Sequence, residues 1–503
     1  MAKIFGRIGD FEEMTIRPGW TTSETTYDKV DLSVRLAPKV RLTYPFIAAA
    51  MTSVVGETMA LECARNGIMA VVPTQLPIDK AAGIVSGVKR QEVKRGDLEI
   101  VNEPEIINFK GTVGDAMATY ERAGHSVIPI CDRCSELKGL YCHREGIPAD
   151  AMGVTLAEAL ENAGDSANPL AGVVKPFSMR SALAGTDYCI DGTAAPEVKE
   201  RISGSRNRCM PIVDNGGVLR GLAFVYKHDG YAVAGAIHTY NWEERADALV
   251  KAGADVIFID ASQGTSDYQL ETLRGFKKSY PDVPICAGNV VSGGALKSTS
   301  GGPEAVDVYK ALTDAGADMI KIGMGSGMIC LTTDNRGVGR KILRALHDLS
   351  NAREKSGTHV PLIADGGIGT VDPDYDKRAQ IKRSMRHDTR SINLSLAFAD
   401  AVMMGSYFNM FDEAPAPNEP IDGKRYNQSW GEGSFKAQSL ARYGLREGVR
   451  RAHIEEGIYT LVPSIGRLKP GIERSALGVA MTLSNVGAHD LSEYRQMCMI
   501  ERS

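Results

Sequence analysis

At 503 residues the chain is too long for one ordinary domain, and with 43% hydrophobic and 24% charged residues it has ample material for a large core. A net charge of −4 gives no global pull toward nucleic acid or an anionic membrane. No stretch approaches the roughly 20 continuous apolar residues of a membrane span, and the N-terminal MAKIFGRIGD lacks the apolar core of a secretory signal. The expectation is a cytoplasmic protein with no membrane and no specific nucleic-acid partner. Nine scattered cysteines do not read as a disulfide framework. Cys131 and Cys134 form a lone C-x-x-C with no second pair at zinc spacing and are read as ordinary packing.

In chain order, short apolar runs each precede a helix-like stretch: YPFIAAA (44–50), GIMAVVP (67–73), YAVAGAI (231–237), ADVIFID (254–260), VPICAGN (283–289), ADMIKIG (317–323), VPLIADG (360–366) and ADAVMMG (399–405). Continuous apolar strands alternating with helices imply a parallel sheet, and eight such units close into a (β/α)8 barrel, an α/β fold. Polar or glycine residues gather at the strands' C-terminal ends: Asp260 to Ser262, Gly288 and Asn289, the loop beyond Lys321, Asp365 to Gly367, and Gly405 with Ser406. Active sites of this fold are built at that end.

The second and third strands are separated by an insertion at 97–229, so the expected organisation is barrel (1–96), insertion (97–229) and barrel again (230–503). The insertion repeats itself: SVIPICDRCSELKGLYCHRE (126–145) matches RCMPIVDNGGVLRGLAFVYKHD (208–229), each an apolar strand, a polar turn and a Leu-(Lys/Arg)-Gly-Leu strand. Repeats that cannot bury their faces alone stack on each other. The pair looks like tandem CBS modules, which implies a possible adenine or guanine nucleotide there.

The most informative run is KIGMGSGMICLTTDNRGVG (321–339). Gly323, Gly325 and Gly327 free the backbone to turn tightly and aim amides and carbonyls at a ligand or ion. They present one cysteine, Cys330, followed by Thr332. Beyond the eighth strand, a polar stretch of about 412–465 holding WGEGSFKAQSLARYGL reads as a mobile flap, being too long for an idle loop.

Barrel, inserted pair, G-x-G-x-x-I-C-x-T loop, Asp-Gly-Gly strand end and WGEGS...ARY flap together resemble the inosine-5′-monophosphate dehydrogenase family over essentially the whole chain. The stretch Ala48 to Ala60, Lys321 and the C-terminal GAHD (487–490) resemble a divergent branch of it. The resemblance implies NAD-dependent oxidation of IMP to XMP. Converting carbon 2 of the purine into a tetrahedral centre that releases hydride calls for a nucleophile, and Cys330 is the candidate. The thioimidate left behind must then be hydrolysed, which the resemblance assigns to the flap residues Arg442 and Tyr443, with Thr332 and Glu456 relaying a proton. Arginine is an odd base, since its reference pKa lies above about 12.

By the same resemblance Asp365 accepts the ribose hydroxyls, and Gly366, Gly367, Gly405 and Ser406 hold the 5′-phosphate. Met51, Asn289, Gly431 and Glu432 complete the substrate side. Asp260, Ser262, Lys321 and Gly323 face the NAD cofactor. A monovalent cation, K+, is implied at the carbonyls of Gly325, Gly327 and Cys330, joined by Asn485, Val486 and Gly487 from a neighbouring copy, in a homotetramer. Three positions depart from the family pattern: Met328 and Ser429 stand where a serine and a tyrosine are usual near the phosphate, and Thr52 replaces an aspartate. Alternatives are a GMP reductase, a dehydrogenase for a related purine or heterocycle, and a non-catalytic nucleotide sensor.

Overall fold

The computed structural model describes all residues except 1, 6–7, 94–95, 123–126, 144–146, 166–167, 178–187, 205–208, 227, 229, 293–294, 298–304, 326, 328–331, 370–388, 422, 435–456 and 503. It divides into two compact units, one formed by Met1–Glu92, Asp229–Ile465 and Glu473–Ser503, the other by Val93–His228 with Gly466–Ile472. Among the described residues no helix is long and apolar enough to cross a membrane.

The larger unit holds a closed barrel of eight strands in parallel register. In chain order they are β1 (Phe46–Ala48), β2 (Met69–Val72), β3 (Val233–Ile237), β4 (Val256–Ile259), β5 (Ile285–Val290), β6 (Met319–Ile322), β7 (Leu362–Asp365) and β8 (Ala401–Met404). All eight expected strands form, and β8 pairs with β1 to close the ring. The strands are buried almost throughout, which is why they read as unbroken apolar runs rather than alternating ones. The surrounding helices are amphipathic. Helix Asp267–Ser279 buries Gln269, Thr272, Leu273 and Phe276 at helical spacing, and Ser266 caps its first turn.

A clasp recurs at the N-terminal rim. Asp255, Asp318 and Asp400 each stand one residue before a strand, and each exchanges two hydrogen bonds with the preceding strand. The Asp255 carboxylate accepts from Val233 N–H at 2.9 Å while its own N–H donates to the Val233 carbonyl. Asp318 does the same with Ile285, and Asp400 with Leu362. A cation completes each clasp: Lys89 on Asp255 at 3.1 Å, Lys277 on Asp318 at 2.7 Å, and both Arg353 (2.6 Å) and Arg495 (3.1 Å) on Asp400. Burial works against the Asp400 charge, but Arg495, Arg353 and the Leu362 amide together hold its pKa below the usual carboxylate value.

The smaller unit contains two four-stranded sheets. Its internal repeat is exact at the level of hydrogen bonds. In one hairpin Val127–Cys131 pairs with Leu137–Cys142; in the other Cys209–Val213 pairs with Leu219–Val225. Ile130 opposes Gly139 as Ile212 opposes Gly221, with a bulge at the matching place in each. In the first turn the Asp132 carboxylate accepts from the amides of Cys134 and Glu136; in the second, Asp214 accepts from those of Gly216 and Val218. Lys138 pairs with Asp132 as Arg220 pairs with Asp214. The two turns then join each other, Leu137 N–H donating to the Gly217 carbonyl and Leu219 N–H to the Ser135 carbonyl. Gly139 and Gly221 are required for close approach: a Cβ would meet the Lys175 carbonyl at 2.6 Å in one and the Val101 carbonyl at 3.0 Å in the other. The Cys131–Cys134 spacing therefore serves a hairpin. Cys131 is buried in the strand, its thiol raised to about 12 chiefly by burial, and Cys134 is exposed in the turn.

Candidate active site

The C-terminal ends of the barrel strands bring together a polar group from β5, β6 and β7. Lys321, 5% exposed, extends from β6 and donates to Asp365 Oδ2 at 2.9 Å. It also donates to Asn289 Oδ1, and Asn289 Nδ2 donates to the same Asp365 oxygen at 2.9 Å. Burial opposes the lysine charge, yet Asp365 and then Asp260 outweigh it and hold the ammonium pKa above its ordinary value. The cation is thus fixed, and Asp365 is oriented with its second oxygen outside this network. Such a carboxylate accepts hydrogen bonds only, the chemistry suited to a sugar diol. The sequence reading put Lys321 on the cofactor side and Asp365 on the substrate side; the structure ties them into one unit.

Asp260 is half-buried just beyond β4, its N–H bonded to the Ile237 carbonyl, and Ser262 is exposed two residues on. Gly323 leaves β6 with φ at 148°, and a Cβ there would collide with the Asp365 carbonyl, so only glycine lets the two strand ends pass. Gly325 follows with φ at 73°, and its carbonyl accepts from the Thr333 hydroxyl at 3.2 Å. Gly366 and Gly367 both turn with positive φ directly after Asp365. Gly405 and Ser406 begin the short helix Ser406–Asn409 after β8, and a Cβ on Gly405 would lie 2.8 Å from the Met51 sulfur.

The stretch beyond β8 is a three-stranded sheet at its base, Asn418–Ile421, Lys424–Trp430 and Tyr459–Pro463, rather than loop throughout. Gly431 N–H donates to the Ile458 carbonyl at 3.1 Å, drawing the two legs together. Glu432 is held over the end of β1: Thr52 N–H and hydroxyl both donate to Glu432 Oε1, at 2.9 and 3.3 Å. The Trp430 indole donates in turn to the Thr52 hydroxyl at 2.9 Å. Thr52, noted in the sequence only as a departure, thus positions a candidate site residue. The stacked rings of His238 and Tyr240, 4.9 Å apart beyond β3, are a further feature of this rim that the strand pattern did not signal. Ser429 is fully buried, and its hydroxyl has no partner among the described residues.

Cys330, Met328, Arg442, Tyr443 and Glu456 lie outside the described residues, and Thr332 is described only as the first residue of helix Thr332–Arg336. The buried cysteines offer little competition as nucleophiles. Burial raises the thiols of Cys63, Cys209, Cys286 and Cys498, and even Cys286, close enough to feel Lys321, is pushed far up. At the far end of the chain, Asn485 is exposed and its carbonyl accepts from Gly19 N–H at 2.8 Å; Val486 and Gly487 are buried. The carbonyls of Gly325 and Asn485 each already accept one hydrogen bond within the protein, and among the described residues no group of three or more His, Cys, Asp or Glu is placed to hold a metal ion.

The sequence profile described as the IMP dehydrogenase / GMP reductase domain matches residues 10–503. An inosine-5′-monophosphate dehydrogenase of Tritrichomonas foetus is 30% identical over 530 aligned positions, covering 99% of this chain and 94% of that protein. The enzyme of that name from Aquifex aeolicus is 28% identical, covering 98% of this chain and 92% of its own. Among solved structures, a cysteine-to-alanine variant of GMP reductase from Trypanosoma brucei, in complex with guanosine 5′-monophosphate, superposes with a TM-score of 0.61 at 23% identity, over 98% of this chain and 95% of that one. That likeness concerns the fold.

Proposed function

The chain belongs to the IMP dehydrogenase / GMP reductase family, and from that premise we propose that it is a cytosolic enzyme oxidising IMP to XMP with NAD+. The observation that carries this reading is the near-full-length likeness to proteins named inosine-5′-monophosphate dehydrogenase from Tritrichomonas foetus and Aquifex aeolicus.

In this reading the Cys330 thiolate adds to carbon 2 of the purine, and the carbon–hydrogen bond breaks with its electron pair leaving as hydride. NAD+, as co-substrate, takes that hydride. The residual thioimidate is then attacked by water, with Arg442 and Tyr443 on the flap and Thr332 and Glu456 assisting proton removal, and the sulfur departs from XMP. The balance is IMP, NAD+ and water to XMP, NADH and a proton.

The chain's described residues support the binding half of this scheme. Asp365, oriented by Lys321 and Asn289, is assigned the ribose diol. The amides of Gly366, Gly367 and Gly405, with the Ser406 hydroxyl, are assigned the phosphate, as barrels commonly bind phosphate after strands seven and eight. Met51, Gly431 and Glu432 are assigned the base. Asp260 and Ser262 are assigned the cofactor ribose, with Gly323 and Lys321 beneath it. The carbonyls of Gly325, Gly327 and Cys330, with Asn485 to Gly487 of a neighbouring copy in a tetramer, would hold K+ and thereby shape the cysteine loop. The second unit, with its two matched hairpins joined at their turns, is read as a CBS pair that takes an adenine or guanine nucleotide.

Purified protein mixed with IMP, NAD+ and K+ should generate NADH absorbance, and Cys330→Ala should abolish it. Arg442→Ala should retain a burst of NADH while slowing turnover. The family model spans GMP reductases as well as IMP dehydrogenases, which carries a second reading: turnover of GMP with NADPH, and none of IMP with NAD+, would replace the dehydrogenase by the reductase.

A further inference from the structure

The turn after β2, Pro73 to Leu76, carries a cluster that the catalytic scheme above does not use. Thr74 and Gln75 are each 8% exposed. The Thr74 hydroxyl and both polar atoms of the Gln75 amide are buried and have no hydrogen-bond partner among the described residues. Leaving a donor or acceptor buried and unmade costs stability, so most such groups in folded proteins are satisfied. Three such atoms on two adjacent residues are a concentrated departure, and they lie at the end of the barrel where ligands bind.

The backbone around them is braced. Arg245, buried in helix Glu243–Lys251, donates from Nη2 to the Pro73 carbonyl at 2.6 Å, from Nη1 to the Leu76 carbonyl at 2.7 Å, and from Nε to the Ala236 carbonyl of β3 at 2.7 Å. Burial lowers the pKa of this guanidinium to about 10, so the cation is held at a desolvation cost and its bonds go to carbonyls flanking the two orphaned side chains. A turn fixed on both sides while its own side chains are unsatisfied is the arrangement of a preorganised contact rather than of a packing element. The turn sits between the end of β1, where Thr52 holds Glu432, and the end of β3 with its stacked His238 and Tyr240.

We propose that Thr74 and Gln75 form a hydrogen-bonding subsite for an amide edge, a carbonyl beside an N–H, on a ligand entering the barrel mouth, with Arg245 as its positioning residue. A carboxamide offers one acceptor and two donors and so matches such an edge two-for-two; the Thr74 hydroxyl adds a third bond of either sense. This deepens the proposed function and rests on it for the ligands, two of which carry the edge: the 6-oxopurine ring and the nicotinamide carboxamide.

The test uses the full-length protein, with IMP and NAD+ titrated separately by calorimetry and the melting temperature of the ligand-free form recorded. Gln75→Met keeps the length of the side chain without its polar atoms. It should raise the Kd of one of the two ligands on the order of tenfold, the loss of two neutral hydrogen bonds, while the other shifts less than twofold. The ligand affected identifies the edge being read. Melting of the free protein should hold or rise, since no bond in that state is lost. Thr74→Val should weaken the same ligand by a smaller factor, and serves if Gln75→Met fails to fold. Unchanged Kd values for both ligands overturn the subsite, as does equal weakening of both together with a fall in melting temperature, the mark of a structural role. If wild-type protein binds GMP and NADPH instead, the dehydrogenase reading fails and the same variants are compared on those ligands, which carry the same two edges. Binding of none of the four nucleotides by wild type removes both ideas.

Discussion

At the N-terminal rim of the barrel, three aspartates each face the same partners: the amide of the preceding strand and one or two cations. At the C-terminal rim Asp365 shares one oxygen between a lysine and an asparagine, and polar atoms of Thr74, Gln75 and Ser429 have no partner among the described residues. The chemical groups are alike, but their satisfaction is not. The lower clasps are local and reciprocal, stitching neighbouring strands, and would serve any barrel. The upper network holds a carboxylate in a chosen orientation and keeps part of it available. Buried ion pairs add little net stability but are severely missed when one partner is removed, so the same type of substitution should act on folding at one rim and on ligand handling at the other.

The largest effect is expected at Asp400. Asp400→Asn leaves Arg353 and Arg495 sharing no counter-charge in a site where their side chains are 6% and 14% exposed, and should lower unfolding stability by about 3–5 kcal/mol, measured by urea denaturation. Lys321→Met comes next. It should cut kcat/KM by roughly 100- to 1,000-fold, the scale of losing one preorganised electrostatic group, with a smaller stability change than Asp400→Asn. Should Lys321→Met unfold the protein as severely while sparing activity in the folded fraction, the distinction between the rims collapses.

Thr52→Val removes the link between the Trp430 indole and Glu432 and should lower kcat/KM by about tenfold, or about 1.4 kcal/mol, with a fall in unfolding stability smaller than that of Asp400→Asn, from the indole bond lost. Asp318→Asn tests whether the clasps are graded. Asp318 and Lys277 are 36% and 21% exposed, so solvent screening should reduce the cost to about 1 kcal/mol.

The smallest effects are in the pH dependence, and the two rims should respond at opposite extremes. The folded pKa of Asp400 is depressed, so its contribution is full above the unfolded value of about 3.9 and is lost as pH falls through the folded one. Lys321 is raised, so its contribution is full below about 10.4 and is lost as pH climbs through the folded value. Asp400→Asn should flatten the acid limb of a stability profile, and Lys321→Met the alkaline limb.

Much of this was legible in the residues because burial leaves a plain trace. Strands covered on both faces must be apolar throughout, which made all eight visible, and Gly323 advertised a backbone that a side chain would block. The repeat in the smaller unit was visible for a related reason: each hairpin needs the same aspartate and basic residue at its turn and the same glycine where its strand approaches a neighbouring carbonyl. The clasps were equally present as Ala254-Asp255, Ala317-Asp318 and Ala399-Asp400, but a lone acid before a strand looks like an ordinary turn residue until its partner amide is known. Thr52 could not have been recognised as a brace, because Glu432 lies 380 positions away.

What the chain determined by composition and order alone was the cylinder, its winding and the end at which glycines and polar residues collect, since these follow from local periodicity and from what each position can bury. Which charges meet was decided only on closure. Lys321, Asn289 and Asp365 come from three strands, and their union, like the bracing of the Thr74–Gln75 turn by Arg245, depends on strand registers that no short window of sequence encodes. Orientation and satisfaction of buried polar atoms are properties of distance, and distance exists only in the folded barrel.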